Sequence, residues 1–196
     1  MVQARRKIQR EAILHVAREL FSQKGFDNTS LWDLAGPVKI SDAQVLRLFG
    51  MKKRNILYEV LGSIWDDINA QVHQVIADSS KNAREKLYWV FHHVLNSLAQ
   101  DHSLSLAFLS PVDSFLLTDE VIIAYHREFA LLIDSIIQEG QQQNILRGDL
   151  NVHAIRQSIV GCIRINSRFG FLPRAEYDLE DALLAFEAIL NGIAVA

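Results

Sequence analysis

The chain has 196 residues, 49% of them apolar, with nine glycines, three prolines and one cysteine. That is enough apolar material for a core in one or two domains, too little proline and glycine for an all-β chain, and no basis for an intrachain disulfide. The net charge of −3 conceals an asymmetry: residues 1–58 hold 11 Lys/Arg against 5 Asp/Glu, a net of +6, while residues 59–196 hold 9 against 18, a net of −9. A basic head on an acidic body is the pattern of a chain in which one part meets a polyanion and the other does not.

Taken in chain order, the elements are all helical, and the fold class is all-α. Ile8, Ala12, Ile13, Val16, Ala17, Leu20 and Phe21 recur at helical spacing over residues 5–24, and Gly25 stops that helix. Ser30 and Asp33 form an S-x-x-D capping box for a short helix over about 31–36, which Gly36-Pro37 is expected to end. Ser41 and Gln44 form a second box for a helix running to about Phe49, broken at Gly50. Leu31, Leu34, Ala35, Ile40, Val45 and Phe49 would close a small core with the first helix, leaving Asp42, Ala43, Gln44, Leu46 and Arg47 mostly outside. Two short capped helices joined by a tight turn are the layout of a helix-turn-helix, whose second helix enters the DNA major groove.

The body continues with a long helix over about 53–77 and another capped by Asn82-x-x-Glu85 that runs to about 99. Residues 103–117 read as helix interrupted by Pro111, and a helix follows from Thr118-Asp119-Glu120 through Ile137. A Gln-rich turn over 138–151 leads to a helix at 152–169; Leu172-Pro173 breaks it, and Asp178 caps a last helix to about 193. The last two helices are apolar on more than one stripe, and Gly161, Cys162, Ala182, Ala185 and Ala188 would allow close approach of backbones. Paired about a two-fold axis, they would make a four-helix bundle and hence a homodimer.

Several classes find no support. Cys162 has no basic neighbour and reads as a small core residue. No Gly-rich phosphate loop or Gly-x-Ser-x-Gly elbow is present, and Asp66-Asp67 and Glu180-Asp181 read as solvated faces, so no enzyme is expected. His92 and His93 point about 100° apart on a helix, so neither a metal site nor a cofactor is expected. The N-terminal MVQARRKIQREAIL lacks an apolar signal region, and no apolar run approaches the ~18 residues of a membrane span; a cytoplasmic protein without a membrane partner is expected.

The stretches AILHVARELFSQKGFDNTSLWDLA, VKISDAQVLRLF and MKKRNIL together resemble the head of the TetR family of bacterial transcription regulators. Ile13, Leu14, Ala17, Leu20, Phe21, Gly25, Phe26, Thr29, Leu34, Ala35, Ser41, Phe49 and Lys52 fall in the family's places, over about the first 57 residues. The resemblance implies a DNA-binding domain over 1–52, an effector-binding and dimerisation domain over 53–196, and about nine helices. It implies a ligand-responsive dimeric regulator, a repressor, on a palindromic double-stranded operator, dimerised through helices 152–169 and 178–193.

The residues implied at DNA are Thr29, Ser30, Lys39, Ser41, Asp42, Ala43, Gln44, Leu46, Arg47 and Lys52. Lys52, Lys53 and the Arg5-Arg6-Lys7 run would meet phosphate, with energy from counterion release. Thr29 and Ser30 would offer hydroxyls and helix-start amides to phosphate. Gln44 suits an adenine edge, Arg47 a guanine edge or a phosphate, and Asp42 either a cytosine amine or the first turn of its own helix. A small, largely apolar effector would sit against Trp65, Tyr88, His92, Phe108, Phe115, Tyr125, His126 and Phe129.

The sequence also departs from the family pattern. The turn is Val38-Lys39-Ile40, with no glycine where the family commonly has one. Pro37 stands where the second helix usually continues, Leu46 where a tyrosine is frequent, and Asn55 where leucine is usual. Asp42 is an acidic residue facing a polyanion, and Pro37, Leu46 and Asp42 motivate a competing reading: a helical dimer with a degenerate helix-turn-helix that binds a small molecule or a protein without reading DNA.

Overall fold

The computed structural model describes residues 2–108, 119–168 and 179–195. Among them the elements are α1 (Val2–Lys24), α2 (Leu31–Val38), α3 (Asp42–Leu48), α4 (Lys53–Ala77), α5 (Ala83–Gln100), a 3₁₀ turn (His102–Leu104), α6 (Ser105–Phe108), α7 (Glu120–Gln142), α8 (Val152–Arg168) and α9 (Leu179–Ile193). The only pairing of extended backbone among these residues is a single antiparallel bridge between Leu146 and Ala194. The chain divides into two compact units, Met1–Ile64 and Trp65–Ala196.

In the first unit, Ile13, Ala17 and Phe21 of α1, Leu34 and Ala35 of α2, Val45 and Phe49, and Ile56, Leu57 and Val60 early in α4 are all buried. Phe21 meets Phe26 edge to face at 5.3 Å, packing the turn after α1 onto the same core. Arg10 of α1 donates to the Leu48 carbonyl and to the Glu59 carboxylate, and its guanidinium lies 4.5 Å from the centre of the Phe49 ring. One side chain thus ties the end of α3 and the start of α4 to α1.

In the second unit, α5 is a central element: Leu87, Val90, Phe91, Val94 and Leu95 are buried. Phe91 stacks on Phe186 of α9 with centroids 3.6 Å apart. Lys86, only 5% exposed, donates twice to the Glu139 carboxylate at 2.9 Å and links α5 to α7. Arg156 of α8 bonds Asp134 of α7.

Two boundaries differ from the sequence expectation. α2 runs through Pro37 to Val38 instead of ending at Gly36. The clash of a proline ring falls on the Cβ of the residue before it; Gly36 has none, so helical backbone is tolerated there for two more residues. α7 reaches Gln142 rather than Ile137, so the chain reversal is confined to 143–151. Gly140 does not break it, because a missing side chain is what that position requires: a Cβ there would lie 2.7 Å from Leu146 and 2.8 Å from Ala83. Pro111, Leu172-Pro173, Thr118 and Asp178 lie outside the described residues.

Candidate nucleic-acid interface and effector region

Both capping boxes of the head form. Ser30 Oγ accepts from the Asp33 amide at 3.1 Å while Asp33 Oδ2 accepts from the Ser30 amide at 2.7 Å. Ser41 Oγ accepts from the Gln44 amide at 3.3 Å and Gln44 Oε1 accepts from the Ser41 amide at 2.9 Å. Reciprocal bonds of this kind satisfy amides that a helix start leaves unpaired. The hydroxyl of Ser30 and then Lys24, at 2.9 Å, hold the Asp33 carboxyl well below the usual carboxylate range.

The turn between α2 and α3 makes its reversal at Lys39, which takes the left-handed conformation with φ 56° and ψ 47°. Lys39 and Ile40 donate their amides back to the last carbonyls of α2. Lys39 therefore does what a glycine does in such turns, at a steric cost of about 1–2 kcal/mol. Lys39 makes the left-handed reversal without a glycine and adds a cation to the turn.

α3 then presents one face outward. Ser41, Asp42, Ala43, Gln44 and Arg47 are exposed, Leu46 is half-buried, and Val45 and Phe49 are fully buried. Arg47 reaches back to the Ala43 carbonyl at 3.4 Å. Lys39, Ser30 and Lys52 are exposed as well.

Two expected phosphate contacts are placed elsewhere. Thr29 is 0% exposed and its hydroxyl donates to the Gly25 carbonyl at 2.8 Å, so its side chain fixes the turn after α1 and presents nothing to solvent. Lys53 donates to the Phe26 and Thr29 carbonyls, each at 2.6 Å, with its ammonium 4.1 Å from the centre of the Phe26 ring. Burial pushes its pKa down. Lys53 thus staples the start of α4 to the α1–α2 turn, while its neighbour Lys52 remains in solvent. One residue that sequence reading did not single out is Trp32, 73% exposed at the second position of α2. Its only sequence signal is a large aromatic outside the Leu31, Leu34, Ala35 stripe.

The effector candidates separate into groups. Trp65 of α4 is buried, with its ring 5.0 Å from His126 and 5.4 Å from Phe129 of α7. His126 Nδ1 lies 2.8 Å from the Ile122 carbonyl, an acceptor, so the proton sits on that nitrogen. Tyr88 and His92 stack on α5 at 5.8 Å, with Trp89 6.1 Å from His92. Tyr125 is half-buried. The Phe108 side chain and Phe115 lie outside the described residues. A cavity of about 260 Å³ between α4 and α5 has Ile68, Val72, Val75, Trp89, Val90 and Val94 among its walls, and none of the eight candidates lines it. Among the described residues no three His, Cys, Asp or Glu side chains cluster as a metal site would need.

Residues 13–60 match the family model of bacterial regulatory proteins of the tetR family, and residues 59–183 match that of the C-terminal region of YsiA-like proteins. The chain belongs to the TetR family. The fatty acid metabolism regulator protein of Bacillus subtilis (strain 168) is 24% identical over 168 residues, 85% of this chain and 86% of that protein. Among solved structures, the regulator FadR of Bacillus subtilis in complex with stearoyl-CoA has a TM-score of 0.77 at 22% identity, covering 92% of this chain and 95% of that one. The ketosteroid transcriptional regulator KstR2 of Mycobacterium tuberculosis has a TM-score of 0.75 at 18% identity, covering 95% of each chain. As a TetR-family member the protein is a ligand-responsive, DNA-binding transcription regulator, and regulators of this family are not enzymes. The degenerate-head reading is not favoured. No helix among the described residues is long and apolar enough to cross a membrane.

Proposed function

We propose that this TetR-family regulator is a homodimeric, cytoplasmic repressor whose effector is a long-chain acyl thioester. The observation that carries the DNA half of the reading is the outward face of α3, where Ser41, Asp42, Ala43, Gln44 and Arg47 are exposed over a buried Val45 and Phe49 on a head of net charge +6. Residues 1–52 carry the DNA contacts. Gln44 and Arg47 read base edges, Asp42 accepts from cytosine, and Leu46 packs beside them. Ser30, Lys39, Ser41 and Lys52 hold phosphate and set register. Thr29 acts indirectly, by holding the turn that orients Ser30.

Residues 53–196 carry dimerisation and the effector. Leu184 of α9 is 63% exposed, and Gly161 of α8 and Gly192 of α9 have open space where a Cβ would stand. An exposed leucine on helices with open glycines supports close helix packing between two copies. The acyl thioester is supported by the similarity to a fatty acid metabolism regulator over most of the chain and to a FadR fold holding stearoyl-CoA. Trp65, His126 and Phe129 form the aromatic wall against it.

Selection of bound duplexes from a random-sequence pool tests the reading. Ligand-free protein is expected to enrich an inverted repeat, with half-sites about one helical turn apart or a multiple of it. Gln44→Ala with Arg47→Ala is expected to flatten the preference, stearoyl-CoA to release the duplex, and Leu184→Glu to yield monomers by light scattering. A folded dimer that enriches nothing overturns the DNA reading, and a Leu184→Glu protein that stays dimeric overturns the interface.

A further inference from the structure

Asn69 stands on α4, one turn after Trp65, and is 4% exposed. Its Oδ1 is buried without any hydrogen-bond partner. A buried amide oxygen left unpaired is destabilising, and native proteins rarely leave one so. Residues four apart share a helix face, so Asn69 lies on the face that carries the Trp65 ring toward His126 and Phe129. Asn69 does not line the cavity between α4 and α5, although its helix neighbours Ile68 and Val72 do. Asp134 Oδ1 is likewise buried and unpaired, but the other oxygen of that carboxylate holds Arg156. Asn69 has no comparable role.

We propose that Asn69 Oδ1 is the hydrogen-bond acceptor that fixes the effector against the aromatic wall, so that the effector must carry an N–H or O–H donor beside its apolar chain. This rests on the acyl thioester reading and sharpens it. The carrier arm of an acyl-CoA contains secondary amides, which donate. A free fatty acid at neutral pH ends in a carboxylate, which only accepts and would set oxygen against oxygen. Asn69 therefore selects the thioester over the free acid. Because α4 also supplies core residues of the first unit, the bond is made on the helix that both units share.

Asn69→Leu keeps the branched shape and removes the acceptor; Asn69→Ala is the control should the bulkier leucine overpack. Full-length protein is titrated calorimetrically with stearoyl-CoA and separately with stearate, and the thermal unfolding of the ligand-free protein is followed alongside. Wild type is expected to bind stearoyl-CoA well above stearate. Asn69→Leu is expected to weaken stearoyl-CoA binding roughly ten- to hundredfold, to strengthen stearate binding because the oxygen opposing its carboxylate is gone, and to hold or raise Tm, because the unpaired oxygen is gone. A variant that binds stearoyl-CoA as wild type does, or that loses stability in both forms, overturns the role of Asn69 while the effector class stands. A wild type that ignores stearoyl-CoA overturns the effector class itself, and this proposal with it.

Discussion

Lys52 and Lys53 are adjacent, carry the same charge, and should fail in opposite ways when replaced. Lys53 gives two charge-assisted hydrogen bonds to the Phe26 and Thr29 carbonyls and a cation–π contact to Phe26. Bonds from a charged donor contribute about 1.5–3 kcal/mol each, and an incompletely buried cation–π contact about 0.5–1 kcal/mol. One ammonium makes all three, and water can reach part of the site, so the terms do not add; Lys53→Met should cost about 2–3 kcal/mol. For a compact unit spanning Met1–Ile64 that is roughly 10–20 °C of Tm. Lys52 is exposed, and Lys52→Ala should leave Tm within about a degree. Its effect belongs to DNA: each phosphate left without its lysine reduces the slope of log K against log salt by about 0.9, or about 1.8 for a dimer. Calorimetric unfolding and a salt titration of operator binding separate the two. If Lys53→Met lowered the salt slope and spared Tm, the staple would be wrong and Lys53 would be a phosphate ligand.

Other expectations follow from the same geometry. Lys39→Gly should raise the stability of the head by about 0.5–1 kcal/mol, by removing a left-handed lysine at some gain in unfolded-chain entropy, and should weaken operator binding; chemical denaturation and gel shift check both. Gly140→Ala places a Cβ 2.7 Å from Leu146, so overpacking outweighs the gain in helix propensity and the protein should lose about 1–2 kcal/mol by denaturant unfolding. The depressed Asp33 pKa stabilises the head above its unfolded value of 3.8, and that contribution should decline progressively as pH falls below about 4 toward the much lower folded value. Asp33→Asn should remove this part of the acid sensitivity in a pH series of melts. Trp32 fluorescence should change on operator binding, and Trp32→Phe should abolish that change, if the exposed start of α2 approaches the DNA backbone.

What the sequence exposes and what it hides divide along the range of the interaction. Capping boxes are local, three residues apart, so both were legible and both helices begin where they predict. The end of α2 was not, because Pro37 reads as a stop until the absent Cβ of Gly36 is considered. The end of α7 depends on Leu146 and Ala83 crowding Gly140, a contact that spans two other elements. Lys53 reads as one of three basic residues facing solvent; its carbonyl partners lie 24 and 27 residues away. Thr29 is the converse case, a residue placed correctly in the family pattern whose hydroxyl turns inward. Periodicity indicates which aromatics are internal, yet not which helices they meet, so Trp65, His126 and Phe129 come together while Tyr88 and His92 form a group on α5. An asparagine in an amphipathic helix reads as surface, and nothing in the sequence marks Asn69 as buried and unpaired.

α4 connects these observations. Its first residue, Lys53, is bonded to the turn that presents Ser30, and Arg10 holds Glu59 two turns later. Its middle carries Trp65 in an aromatic contact and Asn69 with an unmet bond. A ligand changes DNA affinity only as far as it binds one arrangement of the protein better than the other. An unpaired buried acceptor is a source of such a difference, since an arrangement that seats a donor on Asn69 gains a bond that the empty one lacks. The hydrogen bonds at Lys53 decide what becomes of that gain. On the proposed role of Asn69, a fixed helix start passes a movement at Asn69 along α4 toward Lys53. With Lys53→Met the start is loosened, and the same movement can be absorbed locally. Lys53→Met at a temperature where it remains folded should therefore keep its affinity for stearoyl-CoA yet release operator less completely when the ligand saturates. If the variant lost ligand affinity and release in equal measure, the staple would have no part in transmission, and coupling would have to run through other elements.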